Sequence, residues 1–318
     1  MKRILLANPR GFCAGVERAI EVVERAIDLY GPPVYVRHAI VHNEHVVATL
    51  RDQGVVFVDE VDEIPVGAIA VFSAHGVASS VENAAGVRSL RVIDATCPLV
   101  SKVHKEAVRY HEAGYEVLLV GHRGHPEVVG TTGRVKSGIF VLETVADVEA
   151  FTPRDPERLA YVTQTTLSMD DTREMIDALQ ARFPTIRGPD LRDICYATRN
   201  RQQAVRILAE QSDLIIVVGG SMSSNSARLR EIGEQADVPS YRVKSADDLE
   251  TSWFAGVSTV GVTAGASTPD VLVDTVVERI QTIAGRAVAV QELEAKPENT
   301  RFRLPKHWPE AETPLPPA

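Results

Sequence analysis

The sequence predicts an α/β protein built from three similar units with mostly parallel sheets around a central cavity. Three observations predict it. Short apolar runs of β type alternate with longer helical patterns, the order that gives parallel sheets covered by helices. The three cysteines, Cys13, Cys97 and Cys195, each stand where a strand gives way to a helix. Each is followed by a helix, a strand and a polar loop at nearly constant spacing: His42, His125 and Ser223 come 29, 28 and 28 residues after their cysteines.

The chain opens on a short apolar strand at 2–7. A helical pattern follows at 16–29, with apolar residues at helical spacing and Glu17, Arg18, Glu21, Glu24 and Arg25 assigned to the other face. Gly31-Pro32-Pro33 stops it. Further strands are predicted at 34–36, 55–58, 68–72, 91–93, 116–120, 138–142, 159–162, 214–218 and 259–263. Helices are predicted at 45–53, 100–113, 169–183, 199–211, 226–235 and 268–283. A second loop at a strand end completes each unit: Ser73-Ala74-His75-Gly76, Thr163-Gln164-Thr165-Thr166 and Thr263-Ala264-Gly265-Ala266-Ser267. The units are set at 1–96, 97–193 and 194–283. An arm and Pro-rich tail follow at 284–318. The last 22 residues hold six prolines, which exclude a packed helix and predict an extended arm with a frayed end.

Length and composition bound the function. A chain of 318 residues with 44% hydrophobic and 24% charged residues can bury a sizeable core. Its net charge of -9 argues against non-specific nucleic-acid binding but leaves room for a locally positive pocket taking a small anion. The apolar stretch Ile4-Leu5-Leu6-Ala7 is too short for a signal peptide, and no run is long enough to span a bilayer. A soluble, cytoplasmic protein is expected, and three cysteines there do not make a disulfide framework.

Ligands of parallel α/β sheets bind beyond the carboxyl ends of the strands, and all the loops named above lie there. A thiol at a helix N-terminus is expected to have a lowered pKa, and thiolates hold soft metals: zinc, copper(I) or an iron–sulfur cluster. Zinc would need a fourth ligand, for which a His or Glu127 is available. A cluster held by three cysteines would leave one iron open to substrate. His42, His75, His125, Ser223, Ser224, Asn225 and Ser267 are donors suited to an oxygen-rich anion. Glu127, in a closed pocket, is a candidate proton donor, and Thr165 a candidate relay or hydroxyl contact. The chain lacks G-x-x-x-x-G-K-[ST] and a clear G-x-G-x-x-G, which argues against ATP and NAD.

Nine motifs in order carry a family resemblance. They are Asn8-Pro9-Arg10-Gly11-Phe12-Cys13-Ala14-Gly15, Val41-His42-Asn43, Ser73-Ala74-His75-Gly76, Asp94-Ala95-Thr96-Cys97-Pro98, Gly124-His125-Pro126-Glu127, Thr163-Gln164-Thr165-Thr166-Leu167-Ser168, Asp193-Ile194-Cys195-Tyr196-Ala197-Thr198, Ser223-Ser224-Asn225-Ser226 and Val262-Thr263-Ala264-Gly265-Ala266-Ser267. Over about residues 1–305 the chain resembles the 4-hydroxy-3-methylbut-2-enyl diphosphate reductases of the methylerythritol phosphate route to isoprenoids. The resemblance implies a trefoil around a [4Fe–4S] cluster held by Cys13, Cys97 and Cys195, with the substrate hydroxyl at the fourth iron. It implies that His42, His75, His125, Ser223, Ser224, Asn225 and Ser267 hold the diphosphate, that Glu127 supplies protons, and that Thr165 sits beside the hydroxyl. Two electrons, from reduced ferredoxin or flavodoxin, and two protons would expel water and give isopentenyl or dimethylallyl diphosphate. Quinolinate synthases, which also place three cysteines around one cluster, are the rival enzyme, and a non-catalytic redox sensor is the rival of another class. The sensor would need neither Glu127 nor the ring of phosphate donors.

Overall fold

A computed structural model describes residues 1–293 and 298–310. In chain order the elements are β1 (Arg3–Leu6), α1 (Ala14–Tyr30), β2 (Val34–Arg37), α2 (Glu44–Asp52), β3 (Val55–Val58), β4 (Ile69–Phe72), α3 (Ser79–Val87), β5 (Arg91–Asp94), α4 (Pro98–Glu112), β6 (Glu116–Val120), α5 (Pro126–Thr132), β7 (Ile139–Leu142), α6 (Val145–Ala150), β8 (Leu159–Thr163), α7 (Met169–Arg182), α8 (Tyr196–Ala209), β9 (Leu214–Val218), α9 (Ser224–Gln235), β10 (Ser240–Val243), β11 (Thr259–Ala264), α10 (Asp270–Ala284) and β12 (Ala289–Glu292).

The strands form three sheets, ordered β3-β2-β4-β5, β7-β6-β8 and β10-β9-β11-β1-β12. Every strand pairing in them is parallel. Parallel strands need cover on both faces and so read as continuous apolar runs. Accordingly β4, β8, β9 and β11 are buried at every residue. Helix α1 shows the complementary logic. Ala19, Val22, Val23 and Ala26, at i, i+3, i+4 and i+7, are fully buried against the first sheet. Gly31, at φ +70°, ends the helix with its N–H donating to the Ile27 carbonyl.

One strand lies elsewhere than the sequence reading places it. β1, taken as the head of the first unit, pairs with β11 and β12 in the third sheet. Ile4 packs with α10 residues on one face and Leu5 with α8 residues on the other. Only a sheet sandwiched between two helical layers satisfies both side chains. The short elements α3, α5, α6, β10 and β12 are additions to the predicted set. In the C-terminal arm, Leu304 and Trp308 pack on the core beneath α1. Tyr30 Oη donates to the Pro309 carbonyl at 2.6 Å. The parts of the predicted arm and frayed tail at 294–297 and 311–318 lie outside the described residues. Among the described residues no helix is long and apolar enough to cross a membrane.

Candidate active site

The three cysteines cap three helices. Cys13, Cys97 and Cys195 are the N-cap residues of α1, α4 and α8. Their backbone N–H groups are held alike: Cys13 donates to Ala266 O at 3.1 Å, Cys97 to Ala74 O at 2.9 Å and Cys195 to Thr165 O at 3.1 Å. Each acceptor belongs to one of the second polar loops, so every thiol is tied to the loop preceding it around the threefold. Cys195 Sγ also accepts from Thr198 N at 3.3 Å. Between the first two thiols lies Gly15. A Cβ there would stand 3.7 Å from Cys13 Sγ, an ordinary contact, but 2.7 Å from Cys97 Sγ, which would have to shift.

The lowered thiol pKa expected at these helix ends is not what the structure gives. Burial pushes Cys97 up to about 12 and Cys195 up to about 11, with neighbouring thiols adding to the effect. Burial also raises Cys13, against the opposing pull of the Arg201 guanidinium. Three buried thiols are costly to ionise, and desolvation outweighs the opposing pull of Arg201 and of the N–H groups at the helix starts.

Three histidines meet at the other wall. The rings of His42 and His75 stack at 4.0 Å between centroids. His125 stands edge-on to both, at 5.3 and 6.0 Å. Burial lowers the pKa of His42 to about 4 and of His125 to about 3, and lowers His75 well below the usual value; the neighbouring imidazoles push His75 and His125 the same way. All three rings are neutral near pH 7. His125 caps α5 and its Nδ1 accepts from Glu127 N at 3.2 Å, so the neutral ring carries its proton on Nε2.

The third unit supplies hydroxyls and an amide. Ser223 caps α9, its Oγ accepting from Ser226 N at 3.2 Å and Ser226 Oγ at 2.9 Å. Ser267 Oγ donates to the His42 carbonyl at 3.0 Å. His42 Nε2, Ser224 Oγ and both side-chain polar atoms of Asn225 are buried without a hydrogen-bond partner. Buried polar groups are almost always paired, so this cluster of orphaned polar atoms marks the seat of a polar ligand.

Glu127, expected in a loop, sits in the first turn of α5. It is 2% exposed. Its Oε1 accepts from Thr165 N at 2.7 Å and its Oε2 from Thr165 Oγ1 at 3.0 Å. Burial raises its pKa to about 7 despite these bonds, and the charge of Asp193 adds to the rise. Asp193 opens one of the nine motifs, but sequence reasoning assigned it no role of its own. Its buried carboxylate accepts from Thr163 N at 3.2 Å and Lys102 Nζ at 3.0 Å, bracing the turn before Cys195. Sequence reasoning missed Glu44, whose Oε1 accepts from Ser221 N and Oγ at 3.0 and 2.6 Å and so joins the His42 and Ser223 loops.

The three cysteines, His42, His75, His125, Glu127, Thr165, Ser223, Ser224, Asn225 and Ser267 all line one cavity of about 100 Å³, with Val16, Val41 and Val100 as its apolar wall. A larger surface cleft of about 470 Å³, beside His122 and Arg228, contains none of them.

Comparison with known proteins follows the same lines. The family model described as LytB protein matches residues 4–281. The 4-hydroxy-3-methylbut-2-enyl diphosphate reductase of Chromohalobacter salexigens is 55% identical over 308 residues, 96% of each chain. That of Pseudomonas aeruginosa is 54% identical over 308 residues, 96% of this chain and 98% of the relative. Among solved structures, the E-1-hydroxy-2-methyl-but-2-enyl-4-diphosphate reductase from Plasmodium falciparum superposes with a TM-score of 0.92 at 38% identity, covering 96% of both chains. A second, described as (E)-4-hydroxy-3-methyl-but-2-enyl diphosphate reductase, the terminal enzyme of the non-mevalonate pathway, gives a TM-score of 0.63 at 36% identity over 89% of this chain and all of the other. Matched along most of its length in sequence and in fold, the chain belongs to the LytB protein family.

Proposed function

We propose that this chain catalyses the reductive dehydroxylation of 4-hydroxy-3-methylbut-2-enyl diphosphate to isopentenyl and dimethylallyl diphosphate, consuming two electrons and two protons and releasing water. One observation carries the reading: three helix-capping thiols, a buried carboxyl with pKa about 7 and a set of unpartnered anion donors face a single cavity.

The thiols fit a [4Fe–4S] cluster. Among the described residues no three His, Cys, Asp or Glu side chains are grouped to hold a single metal ion; a lone zinc would need sulfurs roughly 3.8 Å apart. Cys13, Cys97 and Cys195 around a shared cavity suit a wider metal cage with three protein ligands. Cys13, Cys97 and Cys195 would hold such a cluster, which when bound would supply electrons and Lewis acidity to the cavity. We assign its reduction to a small carrier of ferredoxin or flavodoxin type and the reaction to the cytoplasm, where thiols stay reduced.

The remaining work falls to the chain. His42, His75, His125, Ser223, Ser224, Asn225 and Ser267 bind the diphosphate, whose oxygens supply partners for the orphaned donors His42 Nε2, Ser224 Oγ and Asn225 Nδ2. That remote binding energy holds the reacting end still. The valine wall keeps bulk water out. Glu127 holds a proton on Oε2, facing Thr165 Oγ1. When the carboxyl is protonated the hydrogen bond reverses, and the Thr165 hydroxyl is free to donate to the substrate hydroxyl. The proton then moves from Glu127 through Thr165 to the leaving oxygen, which departs as water.

The test is an anaerobic assay of the reconstituted chain with a reduced dye and the hydroxylated diphosphate. Both alkenyl diphosphates are expected, in step with dye oxidation. Dye oxidation without either product, or no reaction at all, overturns the proposal.

A further inference from the structure

Three cations close a ring around the thiols. Arg18, in the second turn of α1, donates from Nη1 to the carbonyls of Ala95 and Thr96 at 3.1 Å each, the two residues before Cys97. Lys102, in the second turn of α4, donates from Nζ to Asp193 Oδ1 at 3.0 Å and Arg192 O at 3.4 Å, in the turn before Cys195. Arg201, in the second turn of α8, donates from Nη2 to Gly11 O at 2.8 Å and Phe12 O at 3.1 Å, the two residues before Cys13. The helix capped by Cys13 therefore holds the approach to Cys97. The helix capped by Cys97 holds the approach to Cys195, and the helix capped by Cys195 holds the approach to Cys13.

The physical setting makes these clasps specific. Arg201 is completely buried and Arg18 is 9% exposed, and a buried guanidinium is tolerable only when its donors are paired. Arg201 satisfies its remaining donors with Gly11 O, Ala197 O and the Glu298 carboxylate. Arg18 Nε takes Arg303 O at 2.8 Å. The C-terminal arm thus braces two of the three cations. The clasps join residues 77, 91 and 190 positions apart. Each runs from one cysteine-capped helix to the stretch that leads into the next cysteine.

We propose that Arg18, Lys102 and Arg201 are positioning residues acting in a cycle, each setting the cysteine of the next unit. No thiol is placed by its own unit alone, so the three sulfurs stand at their mutual spacing before a metal cluster arrives. The purpose of the ring rests on the cluster reading above, but the ring itself is readable without metal.

The experiment uses the full-length chain, purified anaerobically, stripped of iron with a chelator and treated with iodoacetamide for graded times. Peptide mass spectrometry gives the alkylation rate of each cysteine. Arg18→Lys and Arg201→Lys keep the charge while breaking the fork. Lys102→Met removes the half-exposed member, which is the variant least at risk of failing to fold. Arg18→Lys is expected to speed Cys97, Lys102→Met to speed Cys195 and Arg201→Lys to speed Cys13, each by about tenfold for the loss of a charge-assisted bond. Lys102→Arg is expected to restore the original rate at Cys195. Acceleration of the cysteine on the variant's own helix, or of all three together, overturns the proposal. A chain that shows this pattern yet binds no cluster would keep the ring and lose the cluster reading. A chain that binds a cluster without the pattern would do the reverse.

Discussion

Glu127 and Thr165 grip each other twice: the Glu127 carboxylate accepts the Thr165 backbone N–H on Oε1 at 2.7 Å and the Thr165 hydroxyl on Oε2 at 3.0 Å. The same Thr165 offers its carbonyl to the Cys195 N–H at 3.1 Å. The carboxyl that we propose as proton donor and the cysteine are therefore joined through one residue, and Thr165 cannot shift without moving both ends.

Replacing the carboxyl should separate chemistry from assembly. Glu127→Gln keeps the size and shape of the side chain and cannot donate a carboxyl proton. Iron and sulfide content should stay at the unsubstituted level while kcat falls about 100-fold or more. Thr165→Val should do the same through loss of the relay. Iron analysis beside steady-state rates checks both, and a normal kcat in either variant removes that residue from the proton path.

The pKa of Glu127 also makes a stability prediction. Its folded value, about 7, lies above the ordinary 4.5, so the fold favours the neutral acid. That advantage is complete below pH 4.5 and is lost as pH rises through about 7, at a cost of about 3 kcal/mol at higher pH. Glu127→Gln cannot ionise. Denaturant melts should show the variant gaining stability relative to the parent chain between pH 5 and pH 9, and parallel pH curves would contradict the buried-acid assignment.

The stacked pair His42 and His75 and the edge-on His125 are uncharged in the free chain because burial holds their pKa values low. A bound diphosphate raises those values by placing anionic oxygen beside them. Between the free and bound pKa values, binding takes up protons and tightens as pH falls. Calorimetry in buffers of different ionisation enthalpy should report proton uptake. His42→Ala should weaken binding by about 10- to 100-fold, the worth of a hydrogen bond to a charged group. Proton release on binding, or unchanged affinity in the variant, would contradict this role.

Gly15 offers a steric test. A methyl group there would press within 2.7 Å of Cys97 Sγ. Gly15→Ala lies in the first turn of α1, where alanine suits the helix, so far-UV circular dichroism should be preserved. Reconstituted iron should fall to less than half, because the sulfur must move. Full iron content would show that the thiols have slack.

The local features of this protein were legible in its sequence because local rules govern them. Each cysteine stands just before a helical pattern, and each is an N-cap; the strand expected to lead into Cys195 is a 3-10 turn, Asp190–Asp193, that follows α7. The strands buried on both faces, such as 214–218 and 259–263, announced themselves as unbroken apolar runs. Features set by distant contacts were not legible. β1 looks like any short apolar strand, and only the burial of Ile4 and Leu5 in two different cores assigns it to the third sheet. Arg18 falls within a run of charges on α1 and reads as a solvated side chain, yet it is buried on carbonyls 77 and 78 residues away. Arg201 and Asp193 are hidden for the same reason: a buried charge differs from a surface charge only in partners that lie far along the chain. The thiol pKa was misread because a helix end is visible in sequence and desolvation is not.

The most direct measurement is Mössbauer spectroscopy of the anaerobically reconstituted chain, enriched in ⁵⁷Fe, with and without the hydroxylated diphosphate. The account predicts one iron site distinct from the three bound to Cys13, Cys97 and Cys195, and a change confined to that site when substrate is added. A spectrum with no cluster signature, or one that substrate leaves unaltered, would contradict it.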